Sequence, residues 1–416
     1  MSTPETAAAR ASVAAKSVTA TFGHAPLRVG GAWLAWVQDP HRRPQLPWSE
    51  WHYWWQAHLL DCLVDAAERE AAGAEREAAG DEGEATGAGD AEWAGDPSWL
   101  LLGQRHLRGI RLRNFGRFPN MFFDDMAWLA LASQRAEALA RKLTGQGLPP
   151  AGTAVRELKR RLVAAQTDDL GGGMFWNTRR RYKNTATAGP AAVFFARAGD
   201  HDRAQSLVDW LCETLFDPAQ GLFLDGIDVP RNGGEPSLTR DVWAYNQGTV
   251  LGALVELGDY RPANLERAAA LVDAVDRGLT VPVPRLPGAA ERESRALKAH
   301  GDGDGGLFMG ILARYLALAA RDPRLPGPTR DTARRLVVET ADAIWAGREE
   351  RAGEGAARGL GLGHSNRPSV VFPAHPGELA SSSYPERDGQ LVPVELGTQV
   401  QAWTLFEASY RVLRTN

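Results

Sequence analysis

Apolar residues recur along this chain at i, i+3, i+4, i+7 and i+8, the spacing that places them on one face of an α-helix. Ala204, Leu207, Val208, Leu211, Cys212 and Leu215 form one such stripe, and Ala333, Leu336, Val337, Thr340, Ala341 and Ile344 form another. Leu129, Ala132, Ala136, Leu139, Ala140 and Leu143 repeat it, and shorter stripes run through Leu59 to Ala66, Val250 to Val255 and Leu307 to Leu318. The pattern predicts helices near 5–22, 49–70, 124–143, 153–167, 187–199, 201–216, 241–258, 263–278, 304–321, 328–346 and 395–414. Strand-like runs are few and short, such as Val281 to Val283 and Ser369 to Phe372. No fixed consensus of 34 or 40 residues repeats, which argues against an open solenoid. A long glycine-rich connection follows about every second helix, as expected if one end of a double ring carries the functional loops. The expected fold is therefore all-α, an (α/α)6 barrel of paired helices.

The chain has 416 residues, 44% apolar and 24% charged. These are globular proportions, and the length fits two or three domains or one large single-core architecture; with the paired helices, one catalytic domain over 1–416 is the expectation. Basic and acidic residues number 47 and 51, a balance of −4, so no global charge marks a nucleic-acid binder. No apolar run approaches the ~18 residues of a membrane span, and Met1 to Thr19 has no apolar core of the export-signal kind. A cytoplasmic protein without membrane insertion is the expectation. Cys62 and Cys212 both fall on apolar stripes and read as buried thiols. The segment from Glu68 to Pro97 stands apart. It repeats AEREAAG at 67–73 and 74–80 and carries ten acidic and two basic residues. With so little apolar surface it reads as a solvated acidic loop inserted in the domain, with a short helical start.

The chain lacks HExxH, CxxC, GxSxG and GxxxxGK[ST], so no metal or cofactor is expected. Gly301, Gly303 and Gly306 satisfy GxGxxG, but they follow a polar stretch, and Asp302 and Asp304 would repel a pyrophosphate. The same string fails as a calcium loop, having no glutamate at the twelfth position from Asp302. His52 and His58 are six apart, on different helix faces, which disfavours a metal pair. Trp51, Trp54 and Trp55 read as helix-packing residues.

The most informative string is NFGRFPNMFFDDMAWLALA, Asn114 to Ala132. Asp124 and Asp125 follow aromatic residues and precede a helical stripe. As structure, Asp124 would be an N-cap and Asp125 a first-turn carboxylate favoured by the helix dipole. As chemistry, the helix start would keep one carboxylate ionised while crowding keeps the other protonated, giving the nucleophile and acid that glycoside hydrolysis requires. These residues alone do not fix the order of the two roles.

FFDDMAWLALA resembles the aspartate-pair motif of glycoside hydrolase family 76, the endo-α-1,6-mannanases. Three more strings match in the same order. GGGMFWNTRRRYKNTATAGP, Gly171 to Pro190, is similar to the family's glycine-rich loop with its aromatic pair. Asp225 to Gly248 ends in YNQG, and DGDGGLFMGILARY, Asp302 to Tyr315, resembles the family's DG-rich loop and helix. The matches span most of the chain from Trp51 onward. The resemblance implies an (α/α)6 barrel and a retaining mechanism with Asp124 as nucleophile and Asp125 as acid/base, acting on a mannan-type oligo- or polysaccharide or a mannolipid. Met309 stands where many relatives have Lys, and Phe175 with Trp176 replaces a Trp-Trp pair.

Other cleft candidates are Trp176, whose indole face suits a sugar ring, and Asn184, Asn246 and Gln247, whose paired donors and acceptors suit vicinal hydroxyls. Tyr245 lies beside them. Asp169 and Asp225, in loops before glycine, form turns on their own reading and join the site on the family's. A sugar epimerase or isomerase on the same barrel, or a non-catalytic carbohydrate-binding helical protein, stays open as an alternative.

Overall fold

A computed structural model describes residues 2–26, 30–39, 51–80, 98–230, 234–284, 294–351, 369–387 and 390–414. The helices are α1 (Pro4–Phe22), α2 (Tyr53–Gly80), α3 (Ser98–Arg113), α4 (Phe123–Thr144), α5 (Pro149–Ala165), α6 (Thr185–Arg197), α7 (His201–Thr214), α8 (Ala244–Glu256), α9 (Ala263–Gly278), α10 (Phe308–Arg321), α11 (Gly327–Ala346), the short α12 (Ala380–Ser383) and α13 (Leu396–Leu413). Helix α2 packs on α4, α4 on α6, α6 on α8, α8 on α10, α10 on α13 and α13 back on α2, which closes an inner ring. Outside it, α1 lies on α13, α3 on α2, α5 on α4, α7 on α6, α9 on α8 and α11 on α10. The molecule is an (α/α)6 barrel. Among the described residues, strands form only two- and three-stranded antiparallel ribbons.

The inner ring is tight because small residues face its seams. A Cβ on Gly248 would come within 2.8 Å of Leu312 Cα, and one on Gly252 within 2.3 Å of the Tyr315 ring. Helices α8 and α10 therefore approach backbone to backbone. Farther along the ring, Asp65 of α2, whose side chain is 1% exposed, accepts from Arg135 Nη2 of α4, Arg314 Nη2 of α10 and Arg411 Nη2 of α13, each at 2.6 Å. These guanidinium ions offset the burial cost and hold its carboxyl far below the usual range. One carboxylate thus ties four inner helices.

Helix α3 is absent from the sequence expectation, and Gly103 and Gly109 explain the omission. A Cβ at Gly109 would lie 2.2 Å from Trp33 O, so the helix buries glycine, which adds nothing to an apolar stripe, where the N-terminal segment crosses it. His106 is fully buried on the same face, its Nε2 2.8 Å from Gln56 O.

The acidic segment opens helically, as expected, but its start is packed rather than solvated. Helix α2 continues through it to Gly80. Glu68 pairs with Arg135 and Arg411, Arg69 Nε with Glu407 at 3.1 Å, and Glu70 accepts from Trp99 Nε1 at 2.6 Å. Its first residues are therefore part of the packed structure, and 81–97 lie outside the described residues. Cys62 is fully buried and Cys212 half-buried. Among the described residues no helix is long and apolar enough to cross a membrane.

Candidate active site

Connections leading into inner helices are long: 114–122 before α4, 166–184 before α6, 215–243 before α8 and 279–307 before α10. Those leading out, 145–148, 198–200, 257–262 and 322–326, are short. Since successive helices reverse direction, the inner N-termini share one end of the ring, and the long loops gather there.

Asp124 and Asp125 sit at this end. The N-cap of α4 is Phe122 rather than Asp124, and both aspartates occupy the first turn. Phe122 pairs with Asn177, and Phe123 N–H donates to Trp176 O at 2.7 Å, which locks the helix start to the α5–α6 loop. From that loop the Trp176 indole Nε1 donates to Asp124 Oδ2 at 2.9 Å. Asp124 Oδ1 is buried without a partner. Asn120 Nδ2 donates to Asp125 Oδ2 at 2.5 Å, while Asn120 Oδ1 accepts from Phe122 N–H at 3.0 Å.

Burial raises both carboxyls, overriding the helix start that was expected to keep one of them ionised. Asp124 is pushed up to about 7, desolvation outweighing the Trp176 donor and backbone N–H groups that favour its charge. Asp125 is raised well above the usual range, by desolvation first and then by the neighbouring Asp124 charge. Asp304, just before α10, adds negative charge to both and accepts from Trp54 Nε1 at 3.1 Å. Trp54, expected only to pack, thus orients a site carboxylate.

Aromatic rings surround the pair. Tyr245 stacks on Phe308 with centroids 4.0 Å apart, and Trp128 lies 6.4 Å from Tyr245. Burial and nearby carboxylates hold the Tyr245 hydroxyl protonated well above its normal range. Beside them Asp225 accepts from Tyr182 Oη at 2.6 Å and from Asn246 Nδ2 at 3.3 Å. Asn246 Oδ1 is buried and unpartnered, an acceptor ready for a hydroxyl. Trp176 is 36% exposed, tilted against Phe122 and edge-on to Tyr182.

Three other candidates do different work. Gln247 is fully buried, its Oε1 accepting from Phe223 N–H at 2.8 Å and its Nε2 donating to Phe223 O and Trp243 O. Asn184 is the N-cap of α6, its Oδ1 accepting from Thr187 N–H and Oγ1. Asp169 is exposed and accepts from Thr167 Oγ1 at 2.6 Å. The glycine run after it has a structural cause: Gly172 and Gly173 take φ of 139° and 76°, and a Cβ on Gly173 would lie 2.4 Å from the Trp210 ring. Lys183 caps the turn, donating to Thr167 O, Asp169 O and Gly172 O.

Sequence reasoning missed Asn120, Tyr182 and Asp304 as site residues. Each stands inside a quoted motif or just before one, but only tertiary folding brings it to its partner. Among the described residues no group of three or more His, Cys, Asp or Glu is placed to hold a metal ion. His58, buried beside Trp54 and Trp128, is lowered to about 3 by desolvation and is neutral.

The sequence profile described as Glycosyl hydrolase family 76 matches residues 114–360. Comparison with curated protein sequences gives no match. Among solved structures, the GH76A α-1,6-mannanase of Salegentibacter sp. HEL1_6 is similar at 26% identity and a TM-score of 0.70, over 98% of this chain and 99% of that one. An inactive variant of the same enzyme, with two adjacent aspartates changed to asparagine and α-1,6-mannotriose bound, is similar at 25% identity and TM-score 0.70, over 98% and 99%. A family 76 mannosidase of Bacteroides thetaiotaomicron VPI-5482 shares the fold at 16% identity and TM-score 0.66, covering 98% of each chain.

Proposed function

Because the chain belongs to glycosyl hydrolase family 76, we propose that this hydrolase is a retaining glycosidase cleaving α-1,6-mannosidic linkages in mannan-type oligo- or polysaccharides. The observation that carries the reading is the pair Asp124 and Asp125, two buried neighbouring carboxyls with separate donors, both raised by burial. In the order the family resemblance implies, Asp124 attacks the anomeric carbon as the bond to the departing oxygen breaks, and Asp125 gives its proton to that oxygen. The glycosyl ester on Asp124 is then opened by water, whose proton returns to Asp125. The inactive Salegentibacter variant, changed at two adjacent aspartates and holding α-1,6-mannotriose, supports a catalytic aspartate pair and an α-1,6-mannan substrate without distinguishing the two roles. Asn246 and Asp225 bind sugar hydroxyls in this reading, and Trp176 holds Asp124 while offering a ring face.

The reading is tested by incubating the protein with linear α-1,6-mannan and following the products by chromatography and proton NMR. Mannooligosaccharides released first as the α-anomer support it. Intact mannan, an isomerised sugar, or first release of the β-anomer contradicts it.

A further inference from the structure

Residues 98–183 carry sixteen Lys and Arg against six Asp and Glu, in a chain whose overall balance is −4. Six of these residues are exposed on two adjacent helices. Arg105, Arg108 and Arg111 recur along the exposed side of α3, and Arg156, Arg160 and Arg161 are exposed on α5, which packs beside it. Between the two helices lies an open groove of about 280 Å³, lined by Gln104, Arg108, Arg111, Phe118, Pro149 and Thr153 among others. Arg156 reaches it through Thr153, Nη2 donating to Oγ1 at 3.2 Å.

Arg108, Arg111 and Arg156 form no ion pair with any described residue. Arg111 spends one N–H on Gly116 O at 2.8 Å, and its outer nitrogens pair with no carboxylate among the described residues. Carboxylates near the groove accept from backbone N–H groups: Glu157 Oε2 lies 3.4 Å from Phe118 N, and Glu137 Oε2 accepts from Leu148 N–H at 2.7 Å. Pro149 and Pro150 have no N–H, so the start of α5 offers few backbone donors and the guanidinium groups supply the recognition. Planar guanidinium forks match phosphate and sulfate oxygens and are weakly hydrated.

We infer that this groove binds a phosphate- or sulfate-type oxyanion carried by the substrate. Phe118 connects it to the loop that holds Asn120 against Asp125, so a charged group on the glycan would engage the protein beside the loop that positions the acid. The carrier depends on the glycosidase reading; the anion site itself does not.

The test uses equilibrium binding in an Asp124→Asn background, where cleavage is blocked. Fluorescently labelled α-1,6-mannotetraose is compared with the same oligosaccharide bearing one phosphate ester, each also competed with inorganic phosphate. The expected result is about tenfold tighter binding of the phosphorylated ligand. That preference should fall below twofold in Arg108→Glu/Arg156→Glu and persist in the control Arg160→Glu/Arg161→Glu. Equal affinity for the two ligands, or a preference that survives Arg108→Glu/Arg156→Glu, overturns the inference unless a lipid carries the anion. Vesicles of phosphatidylcholine with and without phosphatidylglycerol decide that: loss of anionic-vesicle binding only in Arg108→Glu/Arg156→Glu assigns the anion to a lipid head group, and no loss rejects the site. Binding of the phosphorylated ligand alone, abolished by inorganic phosphate while the unphosphorylated one does not bind, separates failure of the glycosidase reading from failure of the groove.

Discussion

The indole N–H of Trp176 donates to Asp124 Oδ2 at 2.9 Å, so a loop tryptophan and a helix-start aspartate from different hairpins form one unit. That bond favours the ionised carboxylate against a burial that raises it to about 7. The acidic limb of kcat/KM should therefore centre near about pH 7 rather than in the usual carboxylate range. In Trp176→Phe the donor is lost, Asp124 ionises at still higher pH, and the limb moves up by roughly one unit. A pH–rate profile of both proteins measures this; a wild-type limb near pH 4, or a downward move in the variant, contradicts it.

Asn120 holds Asp125 as Trp176 holds Asp124. Its amide favours the charged form, so Asn120→Ala should raise the Asp125 carboxyl further and push the basic limb of the same profile upward. Turnover should fall roughly tenfold or more, because the acid loses its orientation as well. An unchanged basic limb with unchanged turnover would remove Asn120 from the site.

Function here opposes stability. With Asp124 raised to about 7 in the folded chain and near the ordinary value when unfolded, the native state retains a proton the unfolded state has lost between about pH 4 and pH 7. Stability should therefore fall as pH rises through that window. Asp124→Asn removes the buried charge and should raise Tm at pH 8, by a stabilisation on the order of a few kcal/mol, with the gap closing near pH 4. Calorimetry across pH reads this directly, and a variant less stable than wild type at pH 8 would refute it.

Asp65 has the opposite sign. Its carboxyl is held far below the usual range by Arg135, Arg314 and Arg411, so its contribution is present above about pH 4 and is lost only as acid protonates it. Asp65→Ala leaves three guanidinium ions around an empty position and should cost about 3–5 kcal/mol. Urea unfolding at pH 7 checks it; a loss below about 1 kcal/mol would mean that water takes the carboxylate's place.

The ring was legible because its helices carry stripes, and the stripe through Leu129 and Ala136 placed α4 within a residue of its ends. Helix α3 was not, because its buried face uses Gly109 and His106, whose fit depends on Trp33 and Gln56 from distant segments. The site divides the same way. Asp124 and Asp125 announce themselves as neighbours, and Asn246 by its motif, but Tyr182 reaches Asp225 only through the ribbon that pairs 182–184 with 226–228. Asn184 caps α6 and Gln247 holds the Phe223 backbone, roles that the amide's composition does not distinguish from binding a hydroxyl. Burial of the aspartates, which governs their protonation, is a property of the assembled ring that no local spacing encodes.

The division of labour between Asp124 and Asp125 is tested most directly by a substrate whose leaving group needs no proton. On 2,4-dinitrophenyl α-mannobioside, Asp125→Asn should release dinitrophenolate in a burst at a substantial fraction of the wild-type rate and then stall, since the ester on Asp124 forms but lacks a base for its hydrolysis. Asp124→Asn should release none. A burst from Asp124→Asn with none from Asp125→Asn would reverse the assignment, and steady wild-type turnover by Asp124→Asn would contradict catalysis by this pair.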